Sequence, residues 1–167
     1  HMKEVLFPNT IEYIGKEAFS GCSKLERIEL PSRLNEISNA CFQGTALRDI
    51  IIPNGVKQIG ASCFSNCKQL DTVVLNEGLI CIDSYAFSST AIRKIVMPKT
   101  IKKIKQFAFG SIFYNLSQVA FLGTEVVNID ERAFENTTTI FAPPDSMVIQ
   151  IARRYGLTVK PLDEFEL

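Results

Sequence analysis

Residues 25–42 read LERIELPSRLNEISNACF, and the pattern in this stretch recurs through most of the chain. The recurring unit is L-x-x-I-x-(I/L)-P-x-x-(I/V/L)-x-x-I-x-x-x-(A/C)-F, with 22 to 25 residues between equivalent positions. A unit of this length cannot bury its own apolar face, so the period predicts a solenoid in which successive copies stack. The residues that keep the step are Phe19, Phe42, Phe64, Phe87, Phe109 and Phe134; Ile14, Ile37, Ile59, Ile82, Ile104 and Ile129; and Pro8, Pro31, Pro53 and Pro98, with Asn76 and Gly123 in the proline position of the other units.

Each unit predicts two short strands and an aromatic turn. The alternation of apolar and polar residues from Leu25 to Leu30 is typical of a half-buried strand, which Pro31 ends because proline has no N–H to donate. Leu34 to Ile37 forms a second extended stretch, and the Cys41-Phe42 pair directs a ring into the interior. We expect the first strands of neighbouring coils to pair in parallel. The counterparts of the first strand are residues 47–52, 70–75, 92–97 and 116–122.

The turn after the phenylalanine alternates in length. Phe19 and Leu25, like Phe64 and Leu70, are six positions apart, whereas the equivalent residues of the intervening units, 42 to 47 and 87 to 92, are five apart. This difference accounts for the alternating steps of 23 and 22 residues. The fifth unit breaks the rhythm at residues 110–115, where one residue is inserted and Phe113 and Tyr114 are expected to be exposed.

The sequence divides into three parts. Residues 1–2, His-Met, are interpreted as a tag remnant, and residues 3–142 hold six repeats. Residues 143–167 are predicted to cap the open end of the solenoid with a helix over 147–155 and a short strand over 157–159. Asp145-Ser146 offers the helix N-cap and Gly156 the C-cap. The first repeat has no matching cap, which predicts that the array belongs to something longer.

Composition argues against several classes of function. Eighteen basic and eighteen acidic side chains cancel, so no overall charge favours nucleic acid or an anionic membrane. No apolar run reaches the length of about 18 residues that membrane insertion needs. His1 is the only histidine, which removes the commonest general base and metal ligand from the repeats. We therefore expect no enzyme activity, no catalytic or metal site and no cofactor.

The five cysteines are read as packing residues. Cys41 and Cys63 take the position that alanine holds in other units, and Cys22 and Cys67 share a turn position; the fifth is Cys81. A buried cysteine behaves as a small apolar side chain, so all five are expected to be free thiols. A reactive thiol or a metal site is the less favoured alternative.

Three columns of side chains should project outward from the first strands. In two of them opposite charges alternate between neighbouring units, which predicts cross-strand pairs that hold the register, although a ligand-binding face is compatible with the same pattern. These two columns are Glu26, Arg48, Asp71, Arg93 and Ser117, and Arg27, Asp49, Thr72, Lys94 and Gln118. The third column is apolar after its first member: Glu29, Ile51, Val74, Val96, Ala120 and Phe141.

The apolar column favours a protein contact, because solvated strands usually place polar residues at outward positions. The alternative is that β-branched side chains simply stack well on a sheet. The predicted interaction face consists of Arg48, Ile51, Asp71, Val74, Arg93, Lys94, Val96 and Phe141. A second candidate is a basic patch of Lys99, Lys102, Lys103 and Lys105, read either as a solvated surface or as a site for an acidic glycan, phosphate or protein.

The unit resembles the BspA-like leucine-rich repeat family, whose hallmark continues from I-G-x-x-A-F into G-C-x-x-L. Ile14-Gly15 and the run from Ala18 to Leu25 match this hallmark, and the resemblance covers residues 4–142. It implies a leucine-rich repeat right-handed solenoid of short parallel β-strands and turns with a C-terminal capping helix. It also implies a place on a cell surface or in a secreted protein, with a role in adhesion and protein recognition.

Two functions follow from the sequence. The favoured one is a non-catalytic protein-interaction and adhesion module, and the alternative is a structural spacer or stalk that presents another domain. A protein is the expected partner and an acidic glycan the second candidate, with no nucleic acid and no membrane insertion. The apolar column also offers a surface for weak self-association.

Overall fold

The chain winds into a parallel β-solenoid of about seven turns that ends in one short helix, seen in a computed structural model that describes residues 3–111, 116–126 and 128–166. The predicted fold class is confirmed. The tag remnant at residues 1–2 and the two aromatic residues of the inserted turn, Phe113 and Tyr114, lie outside the described residues.

One strand per turn lies on the first face of the solenoid. The alternation of the sequence sets the direction of the side chains: in the third of these strands Ile50 and Ile52 are buried, while Asp49 and Ile51 are exposed. The predicted direction of the outward columns is therefore correct at this strand. The strands of this face are β1 (Glu4–Leu6), β3 (Arg27–Glu29), β5 (Asp49–Ile52), β7 (Thr72–Leu75), β9 (Lys94–Met97), β11 (Gln118–Phe121), β13 (Thr139–Ala142) and β14 (Thr158–Pro161).

The second face is one unbroken sheet. Its six short strands pair in parallel in the order of the chain, so each turn adds one strand. Ile37 pairs with Ile59, and Ile59 with Ile82, which confirms that the isoleucine set is in phase. The strands are β2 (Tyr13–Ile14), β4 (Glu36–Ile37), β6 (Gln58–Ile59), β8 (Cys81–Ile82), β10 (Lys103–Ile104) and β12 (Asn128–Ile129).

The first face is not one sheet, and here the prediction that all stacked coils pair is wrong. Hydrogen-bonded ladders join β1 to β3, β5 to β7, and β9, β11, β13 and β14 in sequence, but among the described residues none joins β3 to β5 or β7 to β9. We call these two breaks the first seam and the second seam. Both follow the shorter turns, those after Phe42 and Phe87. There Thr45 and Thr90 each donate a side-chain hydrogen bond to the phenylalanine carbonyl of their own turn.

The repeated phenylalanines form a single stack through the interior. Neighbouring ring centroids lie 5.4 Å apart from Phe19 to Phe42 and 5.2 Å apart from Phe64 to Phe87, with the ring planes within 6° of parallel in both pairs. Offset stacking of this kind adds about 0.5–1.5 kcal/mol per pair beyond burial. Phe42, Phe64 and Phe87 are almost fully buried, whereas Phe19 in the first turn is half-buried.

In the turn that carries each phenylalanine, successive backbone N–H groups donate alternately to a carbonyl of the same turn and to a carbonyl of the next turn. Ala18 N–H donates within its own turn to Gly15, at an N–O distance of 3.3 Å, and Phe19 N–H donates to Cys41 of the next turn at 2.8 Å. This pattern is accompanied by a left-handed backbone two positions before every stacked phenylalanine except Phe134. Five non-glycine residues adopt it, with φ between 52° and 60°: Glu17, Ala40, Ser62, Tyr85 and Phe107.

The C-terminal segment caps the solenoid as predicted, with small shifts in its bounds. Helix α1 spans Met147–Arg154, Gly156 has a φ of 71°, and β14 adds a strand beside β13. Ser146 is the N-cap residue, but its side chain makes no capping hydrogen bond. The helix thus takes the place of a second-face strand in the last turn.

Replacing Phe64 with alanine should lower the free energy of unfolding by roughly 3–5 kcal/mol, because a fully buried ring leaves a cavity between two stacked neighbours. Phe19→Ala is the matched control, and its half-buried ring predicts a smaller loss. Equilibrium denaturation with urea measures both. Equal losses for the two variants would contradict a stack that is tightest in the central turns.

Replacing Ala40 with glycine should be neutral or stabilising by up to about 1 kcal/mol, because a left-handed backbone costs an L-residue about 1–2 kcal/mol and costs glycine little. Ala61→Gly is the control: Ala61 is similarly half-buried and has no positive φ, so its replacement should destabilise by about 0.5–1 kcal/mol. The urea midpoint of Ala61→Gly should fall, whereas that of Ala40→Gly should stay unchanged or rise. A lower midpoint for Ala40→Gly than for Ala61→Gly would contradict the assigned backbone.

Candidate interaction surface

An apolar column runs along the outward side of the first face, as the sequence predicts. Its register is direct: Ile51 pairs with Val74 across β5 and β7, and Val96 pairs with Ala120 across β9 and β11. Ile51 is 61% exposed and Val74 43% exposed, and Val96 is half-buried. Large apolar side chains are therefore presented to solvent in the middle of the solenoid.

The column becomes buried at its C-terminal end. Phe141 points outward in register with Ala120, yet it is only 3% exposed, and Ala120 is fully buried. The expectation that Phe141 is an exposed member of the interaction face is therefore corrected. Its burial has a local cause: the ring of Phe165 packs edge-on against the ring of Phe141, with the centroids 5.2 Å apart.

The segment that covers Phe141 is the tail, which we define as residues 162–166. It begins with a turn of 3-10 helix, Leu162–Glu164, and its next two residues lie over the sheet. Lys94 Nζ donates a hydrogen bond to the backbone oxygen of Glu166, at 3.0 Å. The sequence analysis placed the tail in the C-terminal cap and predicted no contact between it and the interaction face. The available signal was a single aromatic residue, Phe165, set among acidic residues where no repeat pattern remains.

A groove of about 840 Å³ lies over the second seam. Its walls include outward Val74 and Val96 together with Val73 and Leu75, whose side chains point toward the core. Val73 and Leu75 are half-buried, unlike fully buried Ile52 one turn earlier. Where the ladder between β7 and β9 is missing, core-facing side chains are therefore partly exposed to solvent. Phe165 of the tail forms the remaining apolar wall.

The first seam carries a smaller groove of about 480 Å³. Ile28 and Leu30 form its core-facing side and Ile51 its outward side. Both seams therefore coincide with depressions along one face, and Ile51 and Val74 stand between them. This arrangement is large enough to receive a peptide side chain at each seam.

The charged columns do not form the predicted chain of cross-strand pairs. Arg48, Asp71, Arg93 and Lys94 are all exposed around the apolar column. Within the described residues of these columns, the one salt bridge joins Lys3 to Glu26, at 3.4 Å. The other charges form no ion pair closer than 4.0 Å there, so alternation of sign does not hold the register.

Two of the four lysines of the predicted basic patch are paired with acidic side chains. Lys102 pairs with Glu125 at 3.3 Å, and Lys105 pairs with Asp83 at 2.8 Å. The hydrogen bond to Asp83 raises the pKa of Lys105. The backbone N–H of Lys99 donates to the carboxylate of Glu77, and Lys103 is exposed. The four lysines are therefore a weaker candidate for an anionic ligand than the sequence run indicates.

Four of the five cysteines are packed in the interior, and all five are unbridged. Burial raises the pKa of Cys41 to about 12 and raises the pKa of Cys63 well above its usual value. Cys67 donates to the carbonyl oxygen of Phe42 at 3.1 Å. Cys81 is 8% exposed, and Cys22 is half-buried. A thiol held in its neutral form is a poor nucleophile and a poor metal ligand.

Two further findings concern sites of other kinds. Across residues 3–111, 116–126 and 128–166, no three His, Cys, Asp or Glu side chains are placed to hold a metal ion together. Over the same residues, no helix has the length and apolar character needed to cross a bilayer.

Comparison with protein families gives one match. A model described as BspA type Leucine rich repeat region matches in six copies, over residues 1–112 and 35–150. A comparison with curated protein sequences gives no significant match.

Three solved structures are similar to this chain. The pneumococcal vaccine antigen PcpA is 10% identical with a TM-score of 0.59, over 95% of this chain and 79% of that one. A leucine rich cell surface protein from Faecalibacterium prausnitzii is 19% identical with a TM-score of 0.48, over 96% of this chain and 59% of that one. A leucine-rich repeat protein from Bacteroides ovatus is 20% identical with a TM-score of 0.36, over 96% and 61%. The chain thus spans about three fifths of the last two proteins.

In the folded protein at pH 8, one cysteine should react quickly with a thiol reagent such as Ellman's reagent. Cys22 is expected to be that residue, because the other four are buried and burial raises the pKa of their thiols. Denaturant without reductant should release all five. Cys22→Ser, as the control, should abolish the fast phase. Fewer than five thiols in denaturant, or fast reaction in Cys22→Ser, would contradict the packing described here.

Proposed function

Because the chain belongs to the BspA type leucine-rich repeat family, we propose that it is a non-catalytic protein-interaction module of a cell-surface or secreted protein. The observation that carries the proposal is the outward apolar column. Ile51 and Val74 are 61% and 43% exposed in the middle of an ordered sheet face. Contiguous exposed apolar surface of this kind is typical of protein contacts.

The two seams add grooves to this apolar surface. An isolated column of β-branched side chains would be a flat strip, but the grooves on either side of Ile51 and Val74 offer pockets for side chains of a partner. Binding energy at protein interfaces concentrates where a side chain enters such a pocket. The exposed charges of Arg48, Asp71 and Arg93 around it would orient a partner more than they would add affinity.

The rigidity of the solenoid also supports a binding role. The phenylalanine stack and the unbroken second-face sheet fix the spacing of the outward side chains before any partner arrives. A preformed surface loses little conformational entropy on binding. The leucine-rich repeat solenoid is generally non-catalytic, which agrees with a role in recognition. A surface or secreted location follows the family resemblance, and adhesion is the broader activity that recognition would serve.

The double substitution Val74→Glu and Val96→Glu should abolish partner binding while the protein stays folded, because outward positions tolerate charge. The measurement is affinity for protein fragments selected from a display library of the source organism's own genome. We expect a loss of at least about tenfold, equivalent to 1.4 kcal/mol. Circular dichroism verifies the fold of each variant.

The matched control is Gln58→Glu with Asn128→Glu, two exposed and uncharged positions of the second-face sheet. It adds the same two acidic side chains on the opposite side of the solenoid and should leave the affinity unchanged. If no fragment binds, or if both double variants bind equally well, the spacer or stalk function is favoured instead.

A further inference from the structure

The tail occupies the interaction face in the way that a bound peptide would. β14 lies beside β13 at the end of the sheet, and Phe165 then packs on Phe141 of β13. One residue later, Lys94 of β9 donates a hydrogen bond to the backbone oxygen of Glu166. Because β11 lies between β13 and β9, the tail spans three strands within these two residues. The tail therefore crosses the strands along the axis of the solenoid, toward the second-seam groove.

We propose that this face binds an extended acidic peptide that carries an aromatic residue, and that the tail is the chain's own occupant of that site. The inference rests on the proposed function and names the chemistry of its partner. The aromatic side chain of the partner would take the position of Phe165 against Phe141. The peptide would continue over Val96 and then Val74, and so would cross the second-seam groove from β9 to β7.

The contacts of the tail define the chemistry that the site accepts. The outward side chains of Val96, Ala120 and Phe141 form an apolar floor, and Phe141 meets an aromatic ring edge-on. Lys94 donates to a backbone carbonyl, which any peptide possesses. Arg93 and Lys94 outnumber Asp71 on the rim of the groove. The tail brings Asp163 and Glu166, and its third acidic residue, Glu164, pairs with Lys160 at 3.3 Å. Complementary charge thus favours an acidic segment.

The geometry of the seam favours an extended backbone. At the second seam, β7 and β9 lie side by side without a hydrogen-bonded ladder, so backbone groups of both strands face the groove. A peptide that crosses the groove meets the apolar walls formed by Val73 and Leu75 and can also reach these backbone groups. The tail reaches only the edge of this groove, where Phe165 forms one wall.

The tail would also limit access. A segment tethered this closely has an effective concentration of about 1 mM, so a weakly binding partner at micromolar concentration competes poorly with it. A partner would bind well only when the tail is displaced. A substitution that weakens the contact between the tail and the face should therefore raise the affinity of the face for a free peptide.

The test uses the full chain and a fluorescein-labelled synthetic peptide of residues 160–166, with binding measured by fluorescence anisotropy. Phe165→Ala removes the aromatic anchor of the tail and should bind the peptide at least about tenfold more tightly than the unmodified chain. Tyr85→Ala, which removes an exposed ring elsewhere on the solenoid, should behave as the unmodified chain does. Lys94→Ala added to Phe165→Ala should weaken binding again.

A second peptide in which the phenylalanine is replaced by alanine should bind Phe165→Ala at least about tenfold more weakly than the first. A third with asparagine and glutamine in place of its acidic residues should bind more weakly and lose its dependence on salt. If Phe165→Ala does not fold, Phe165→Leu replaces it, since it keeps an apolar side chain while losing the contact between rings. The same ranking of peptides is expected, with a smaller ratio.

The proposal is overturned if the unmodified chain and the Phe165 variant bind the peptide equally, if neither binds it, or if the peptide without phenylalanine binds as well. Dimerisation of the unmodified chain in sedimentation, absent from the Phe165 variant and without binding of free peptide, would identify a second copy's tail as the occupant and would also overturn it. The genomic-fragment experiment decides the interaction function separately: fragments that lose binding to Val74→Glu with Val96→Glu would sustain that function even if this peptide fails.

Discussion

The stack of one phenylalanine ring per turn is the constraint on which the other features depend. Each ring must lie about 5 Å from its neighbours, so every turn has to bring its Ala-Phe or Cys-Phe pair to the same angular position. In five of the six turns the chain achieves this with alternating turn hydrogen bonds and a left-handed, non-glycine residue two positions earlier, at a local cost of about 1–2 kcal/mol. With the phenylalanines in phase, the isoleucines of the second face follow in register, and the outward columns of the first face are fixed in direction.

The sequence predicts most of this fold because its strongest signals are the ones that packing requires. Phe42, Phe64 and Ile59 recur at a fixed step, and each is buried where the step places it. The direction of Ile51 and Val74 also follows from simple alternation. The seams could not be predicted, since the strand pattern of Leu47 to Ile52 is as good as that of Leu70 to Leu75. Both seams coincide with the shorter turns, whose length is visible in the sequence, but the pattern does not show that a shorter turn leaves the next strand unpaired.

The candidate site was predicted in part, for a related reason. The apolar column is visible in the sequence, but its partial burial depends on Phe165, which lies outside the repeats and contacts Phe141 across the surface. Such a contact has no period and no local signal. The charged columns show the opposite error: Arg48, Asp71 and Arg93 alternate in sign with their neighbours, yet long exposed side chains gain little from pairing and stay apart. Regularity in a sequence is thus a better guide to the interior than to the surface.

The alternation of long and short turns has a consequence for how such an array can grow. A block of one 23-residue turn and one 22-residue turn contains one paired and one unpaired junction on the first face. Duplicating that block would reproduce the same phenylalanine spacing, the same isoleucine register and a further groove at the new seam. Duplicating a single turn would keep the stack but place two junctions of one kind in succession. A pair of turns is therefore the unit whose duplication preserves the alternation of junctions, and lengthening by pairs would add seams along one side of the molecule at a constant interval.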